Sequence, residues 1–219
     1  WKELGESDDP TTAVSQYLIG YQADKGHWPA DSHRPPTENS NFTTTFLAIR
    51  GLKSFGTAEQ MPMIVPRLTA ARDWLRKTQP IETEDHVFRL RALALLGDSS
   101  DEVVAARNKL LELQRADGGW AQLADSESDP YATATVLAAL AQCADVPTDH
   151  SAYRSGLRYL LKTQQADGSW HVVSRSKPFQ TYFESGYPHG KDQFISIAAG
   201  SWATMALTLA LPESPAKSP

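Results

Sequence analysis

The chain has 219 residues, enough for one domain or slightly more with a sizeable core. Its net charge is −5 and it holds no run of Lys or Arg, which argues against nucleic acid as the main partner and against a polybasic membrane-surface site. One cysteine, Cys143, excludes an internal disulfide.

No signal peptide pattern is present and Trp1 is an unusual start, so the chain reads as a mature form or a fragment. Asp9-Pro10 opens a helix that runs to about Gln22, with Val14, Tyr17, Leu18 and Tyr21 on its apolar face. A polar loop, Pro29 to Ser40, leads to a second helix over Asn41 to Phe55, stopped by Gly56. A third helix lies within Pro62 to Gln79, with Pro66 expected in its first turn, and Pro80 breaks it. Glu84 to Leu96 is the fourth, stopped by Gly97. Asp101 to Gln114 is the fifth; Val103, Ala106, Leu110 and Leu113 form its stripe. Ser128-Asp129-Pro130 starts a helix uncharged to Ala144, and His150 to Gln164 is the seventh. A longer loop, Trp170 to Lys191, precedes the last helix. Phe194 to Leu211 is uncharged over eighteen residues, but its Ser, Thr and Gly favour a buried helix over a membrane span. The tail, Pro212 to Pro219, reads as flexible.

One pattern punctuates this order. Gln114-Arg115-Ala116-Asp117-Gly118-Gly119-Trp120 recurs as Gln164-Gln165-Ala166-Asp167-Gly168-Ser169-Trp170. An earlier copy is Gln22-Ala23-Asp24-Lys25-Gly26-His27-Trp28, and Gln79-Pro80 marks a decayed fourth. Each Gly supplies the positive φ that ends a helix, and each Trp offers a large ring to a neighbouring helix. Trp28, Trp120 and Trp170 should therefore hold equivalent, buried positions. A repeat of this period means an array of helical units.

The pattern resembles the QW repeat of squalene and oxidosqualene cyclases, whose helical hairpins also build the prenyltransferase β subunits. The resemblance covers about Thr11 to Leu211 and implies an all-α fold: an α/α toroid-like array of about four hairpins, outer helices around inner ones, as one domain over residues 10–211. The helices before the turns at Trp120 and Trp170 carry a charged face and the helices after those turns do not, which fits outer and inner places. Four hairpins would leave an open arc, or a smaller closed ring, with an apolar edge for another domain or subunit to cover.

The resemblance also implies where chemistry would sit. Triterpene cyclases carry Asp-x-Asp-Asp-Thr before an inner helix, whose acid protonates the substrate. Here the match is Asp129-Pro130-Tyr131-Ala132-Thr133, with Tyr131 and Ala132 at the two later acids. Asp129 also has a full role as an N-cap. A prenyltransferase zinc site would need Asp, Cys and His, and no Asp-x-Cys is present; no metal and no cofactor is expected. Two further clusters precede inner helices: Glu84-Asp85-His86, and the loop from Tyr182 to Gln193. If a cavity rim gathers them, His86, Glu184, His189 and Asp192 form an acid/base site. The plain alternative is capping by Asp85 and Asp192 and loop hydrogen bonding by the histidines. His27, His33 and His171 lie on turns and receive no role. Phe42, Phe88, Tyr131, Tyr182, Phe194 and Trp202 are candidate lining for an isoprenoid or other apolar small molecule. Three readings stay open: a domain that binds an isoprenoid or similar apolar ligand in a central cavity and lacks the protonating motif, a terpene- or lipid-modifying enzyme with a different site, and a scaffold docking a partner through an apolar edge.

Overall fold

The computed structural model describes residues 10–32, 34–177 and 183–211. Asp9, His33, Tyr182 and the Pro212 to Pro219 tail lie outside them. The fold is all-α: among the described residues there are eight α-helices and no strand, only a single antiparallel bridge between Ala121 and Ser128. The helices pair as hairpins of the α/α-toroid-like class. None of them is long and apolar enough to cross a membrane.

The chain forms two compact units. The first comprises Trp1–Glu112 with Arg175–Phe179, the second Leu113–Ser174 with Gln180–Pro219. In the first, α1 (Pro10–Tyr21), α2 (Asn41–Phe55), α3 (Met61–Lys77), α4 (Thr83–Leu96) and α5 (Ser100–Glu112) pack about α4, which meets α2, α3 and α5. Ile49, Leu52, Ile64, Leu75, Val87, Leu90 and Leu93 fill the core. Ser40 caps α2 by accepting from the Thr43 N–H (3.2 Å). Glu82 and Asp85 form a capping box at the start of α4, and Gly97 closes that helix at φ +64°. Two expectations change here. Ala13, Ser15 and Ile19 are the buried residues of α1, and Val14, Tyr17 and Tyr21, expected on its apolar face, are exposed. Pro62, not Pro66, occupies the first turn of α3, and Pro66 lies inside the helix. Helix begins upstream because Thr57 and Gln60 form a capping box around Ala58–Gln60 that leads straight into it.

The second unit holds α6 (Pro130–Cys143), α7 (Ser151–Thr163) and α8 (Gln193–Leu209), each packed on the other two. Every residue of α6 from Pro130 to Leu140 is buried. The Tyr153 hydroxyl ties α7 to α8 by donating to the Ala206 carbonyl (3.0 Å). α8 is not buried all round, as its composition suggested. Its inward face is Ser196, Ala199, Ala203 and Ala206, whose small side chains allow close helix approach. Its large residues Phe194, Met205 and Leu209 point outward and are exposed.

The three Gln-to-Trp turns are equivalent. Trp28, Trp120 and Trp170 are 2%, 0% and 4% exposed. Gly26, Gly118 and Gly168 sit at φ +95°, +88° and +86°. In each turn the residue after Gln donates its N–H to the carbonyl just before Trp, at 2.9–3.0 Å. In each the Gln amide donates to the turn glycine's carbonyl, at 2.8, 2.9 and 3.0 Å. The indole N–H of Trp28 and of Trp170 reaches back ten residues to Leu18 and Leu160 carbonyls (2.8 Å each). A buried indole N–H left without such an acceptor would cost about 1–3 kcal/mol.

Candidate functional site

Asp129 stands where the second turn hands over to α6. The Asp129 N–H donates to the Trp120 carbonyl (2.9 Å), which fixes its extended backbone. Its carboxylate then accepts from the Ala132 N–H (3.0 Å), so it serves as the N-cap of α6. Burial raises its pKa, against hydrogen bonds from Ala132 and Gln122 that favour the charged form. Thr133 is equally engaged, its hydroxyl accepting from the Trp120 N–H (3.0 Å), as Thr45 does from Trp28 (3.1 Å). Tyr131 and Ala132, at the two later positions of the stretch, are buried.

The second candidate lies before α8. The Asp192 carboxylate accepts from His171 Nε2 (3.0 Å) and from the Ser174 N–H (2.9 Å). Burial works to raise its pKa, but these two donors hold it below the ordinary carboxylate value. It makes no side-chain bond to α8, so the capping role considered for it is replaced by this pairing. The His171 ring stacks on His189 with centroids 4.7 Å apart, and Tyr187 meets His189 edge-on. His189 Nε2 lies 2.8 Å from Ser169 Oγ, whose hydroxyl donates to Asp167 (2.7 Å). With that proton committed, Ser169 accepts from His189, placing a proton on Nε2. His189 holds φ +83°, a backbone region costly for a side-chain-bearing residue and found at sites whose surroundings over-determine it. The result is two stacked imidazoles, each bonded to an acidic or hydroxyl partner. That arrangement can give or take a proton at a surface-accessible ring.

Three residues here escaped sequence reasoning. His171 was assigned no role, yet it joins His189 to Asp192. Ser169 was a turn residue only. Gln193 is buried and clamps the loop, accepting from the Ser185 N–H (2.6 Å) and donating to the Phe183 carbonyl (3.0 Å). Glu184 is exposed and accepts from the Gly186 N–H (2.9 Å) within its own turn. Among the described residues no group of three or more His, Cys, Asp or Glu is placed to hold a metal ion.

The squalene-hopene cyclase C-terminal domain family model matches residues 81–204, more than half the chain. The chain belongs to that family. The match runs from the start of α4 into α8, so it takes in Asp129 and the His171–Asp192 cluster. No curated protein matches the chain.

Within this cyclase-family domain the other candidates fall in different surroundings. His86 lies in the first unit, half-buried on α4. Burial, aided by the Lys109 charge, lowers its pKa to about 4, so it is neutral near pH 7. Phe42 and Phe88 are core residues. Phe42 packs on Trp74 (4.6 Å), Phe88 on Phe46 (5.4 Å), and the Arg91 guanidinium lies 5.3 Å from the Phe46 ring. With Tyr131 they show almost no surface to solvent. Trp202 is half-buried and Phe194 is 53% exposed, so of the described lining candidates these two offer ring surface.

Proposed function

We propose that this domain is a squalene-hopene-cyclase-like QW-repeat unit that binds an isoprenoid or similar apolar molecule and does not start cyclisation by the usual motif acid. The observation that carries the reading is the outward face of α8, where Phe194, Met205 and Leu209 stand exposed along one helix in a family built around apolar substrates. The missing acid is supported by the stretch itself. Asp129 is spent on the α6 cap, and buried Tyr131 and Ala132 take the later acid positions. A phenol or a methyl group cannot protonate an alkene. The test is native mass spectrometry with farnesol and with squalene, followed by product analysis. We expect a retained adduct that Phe194→Asp or Met205→Asp weakens, and squalene recovered unchanged. Absence of any adduct overturns the binding reading; formation of a cyclised product overturns the assignment of the acid.

The stacked pair His171 and His189, with Asp192, favours a second reading as an acid/base enzyme acting on a lipid. Conversion of an isoprenoid substrate that His189→Ala abolishes while the fold is retained would select it over simple binding.

A further inference from the structure

At the second Gln-to-Trp turn α7 lies across the turn backbone. A Cβ on Gly118 would lie 2.7 Å from the Ser155 carbonyl oxygen, and Gln114 Nε2 donates to the Ala152 carbonyl (2.8 Å). Beside this contact an open pocket of about 280 Å³ remains. The turn contributes Arg115 and Asp117 to its lining, and α7 contributes Ser155, Arg158, Tyr159 and Lys162. Arg115 is half-buried, and Arg158 and Lys162 are exposed.

The cations of this pocket are not matched by acids. Among the described residues none of Arg115, Arg158 and Lys162 forms an ion pair, whereas Arg72 and Arg76 meet Asp98 and Arg175 meets Glu82. The Arg115 head is held by neutral acceptors instead: its Nη2 donates to the carbonyls of Leu123 (3.3 Å) and Ala124 (2.9 Å). That fixes the guanidinium and leaves its other N–H groups for a further partner. Arg158 is steered by donating to Ser155 Oγ (2.8 Å), so the Ser155 hydroxyl keeps its own proton to give. Asp117, the acid in the lining, is engaged by the turn, where one carboxylate oxygen accepts from the Gly119 N–H (2.9 Å) and the Ser128 hydroxyl (3.0 Å).

The excess of positive charge belongs to this turn and not to the repeat. At the first turn Ala70 takes the place of Ser155, and the matching positions hold Asp24, Lys25, Asp73 and Lys77, so acids and bases offset. Ala23 stands there for Arg115. Along α7, Arg154, Arg158 and Lys162 follow one another four residues apart with no acid on the helix. Like charges at that spacing weaken a helix, and this chain, at net charge −5, has acids to spare.

We propose that the pocket between the second turn and α7 binds a phosphate group, free or as the end group of a small phosphate ester. Arg115 and Arg158 supply planar N–H pairs that match phosphate oxygens, Lys162 a point charge and Ser155 a hydroxyl donor. A carboxylate has two oxygens and a single charge and leaves part of this set unused. A phosphate monoester, with three acceptor oxygens and nearly two charges, engages all of it. The Tyr159 ring is held by its hydroxyl, which donates to the Ser128 carbonyl (2.6 Å), and gives the carbon body of an ester a flat wall. The proposal rests on this pocket alone and not on the apolar-ligand reading.

The test titrates the full chain at low salt with inorganic phosphate, phenyl phosphate and acetate, followed by NMR of backbone amides and arginine Nε–H groups. We expect saturable binding of a phosphate that shifts the Arg115 and Arg158 side chains and the Gly118 amide, with acetate about tenfold weaker or more. Arg158→Gln and Lys162→Gln, both at exposed positions, should each weaken it about threefold to tenfold. Arg154→Gln, on the same helix but outside the lining, should change it less than about twofold. Tighter binding of phenyl phosphate assigns the site to an ester, and equal or tighter binding of inorganic phosphate assigns it to the free anion. No saturation by about 5 mM of either phosphate overturns the proposal. So does acetate binding as tightly, or Arg154→Gln weakening binding as much as Arg158→Gln, because either means a diffuse attraction and no site. No isoprenoid enters these measurements, so their failure leaves the ligand reading standing.

Discussion

Replacing Gly118 and Gly168 by Ala in separate variants isolates what one seated helix contributes. The two glycines have nearly the same φ, +88° and +86°, so a side chain strains both backbones alike, by roughly 1–2 kcal/mol. That strain cancels in the difference. At Gly118 the new Cβ also lies 2.7 Å from the Ser155 oxygen, 3.0 Å from its carbonyl carbon and 3.1 Å from its Cβ. These are backbone or near-backbone atoms, so α7 itself must shift outward. Overpacking of this kind costs about 1–3 kcal/mol. The shift also stretches the bond from Gln114 to Ala152, worth about 0.5–1.5 kcal/mol net. Gly168→Ala meets open space and incurs neither. Gly118→Ala should therefore be less stable than Gly168→Ala by about 2–4 kcal/mol. For a chain of this length that separates the melting temperatures by roughly 4–16 °C. Both positions lie in the second unit, so urea and thermal unfolding followed by circular dichroism compare like with like. Two variants equal within about 0.5 kcal/mol would refute the claim that α7 bears on the second turn and that none of the described residues bears on the third.

Other outcomes follow from single groups. His86 has a folded pKa of about 4, below its unfolded value of 6.5, so the folded state resists protonation there. Its contribution is intact above about pH 6.5 and is lost as pH falls toward 4. Urea midpoints should decline over that window in the parent and decline less in His86→Gln, and an NMR titration of His86 near 6.5 would contradict it. Asp129→Asn keeps a good capping side chain and should unfold within about 0.5 kcal/mol of the parent, whereas Asp129→Ala should lose about 1 kcal/mol. Equal losses in both would mean that the charge, and not the cap, is what Asp129 supplies.

The local signals of this chain were readable where one residue type has one physical use. Asn41 to Phe55, the stop at Gly97 and the start at Asp129-Pro130 all follow from caps, glycine and proline, and they stand in the structure. The Trp spacing reported buried, equivalent rings. Pro66 misled because a proline does not say which turn of a helix it occupies; Pro62 and the Thr57–Gln60 box decide that. α8 misled because low charge signals burial without saying on how many sides, and small residues took the inward face. His171 was missed because its neighbour is twenty-one residues away. A signal was there to find. In the second turn Trp120 bonds back to the helix start at Asp129, and after the third turn the chain likewise returns to its helix start, two residues further on, where His171 meets Asp192.

That register also bears on what the acids are for. In all three hairpins the chain leaving the tryptophan is bonded to a hydroxyl near the start of the next helix: Thr45 for Trp28, Thr133 for Trp120, Ser196 for Val172. Thr133 therefore has a structural use at its place in the stretch. It holds a turn, as residues of no catalytic standing do elsewhere in the same chain. Asp129 has one too, since an N-cap before Pro130 calls for a short acceptor. Tyr131 and Ala132, at the two later positions of the stretch, are buried. Membership of the family then carries the fold to this chain, and activity must be argued from what remains at the site. Here that is a cap at Asp129 and the stacked imidazoles of His171 and His189. The imidazoles are joined to the third turn through Ser169 and Asp167, beside a glycine that no described residue covers.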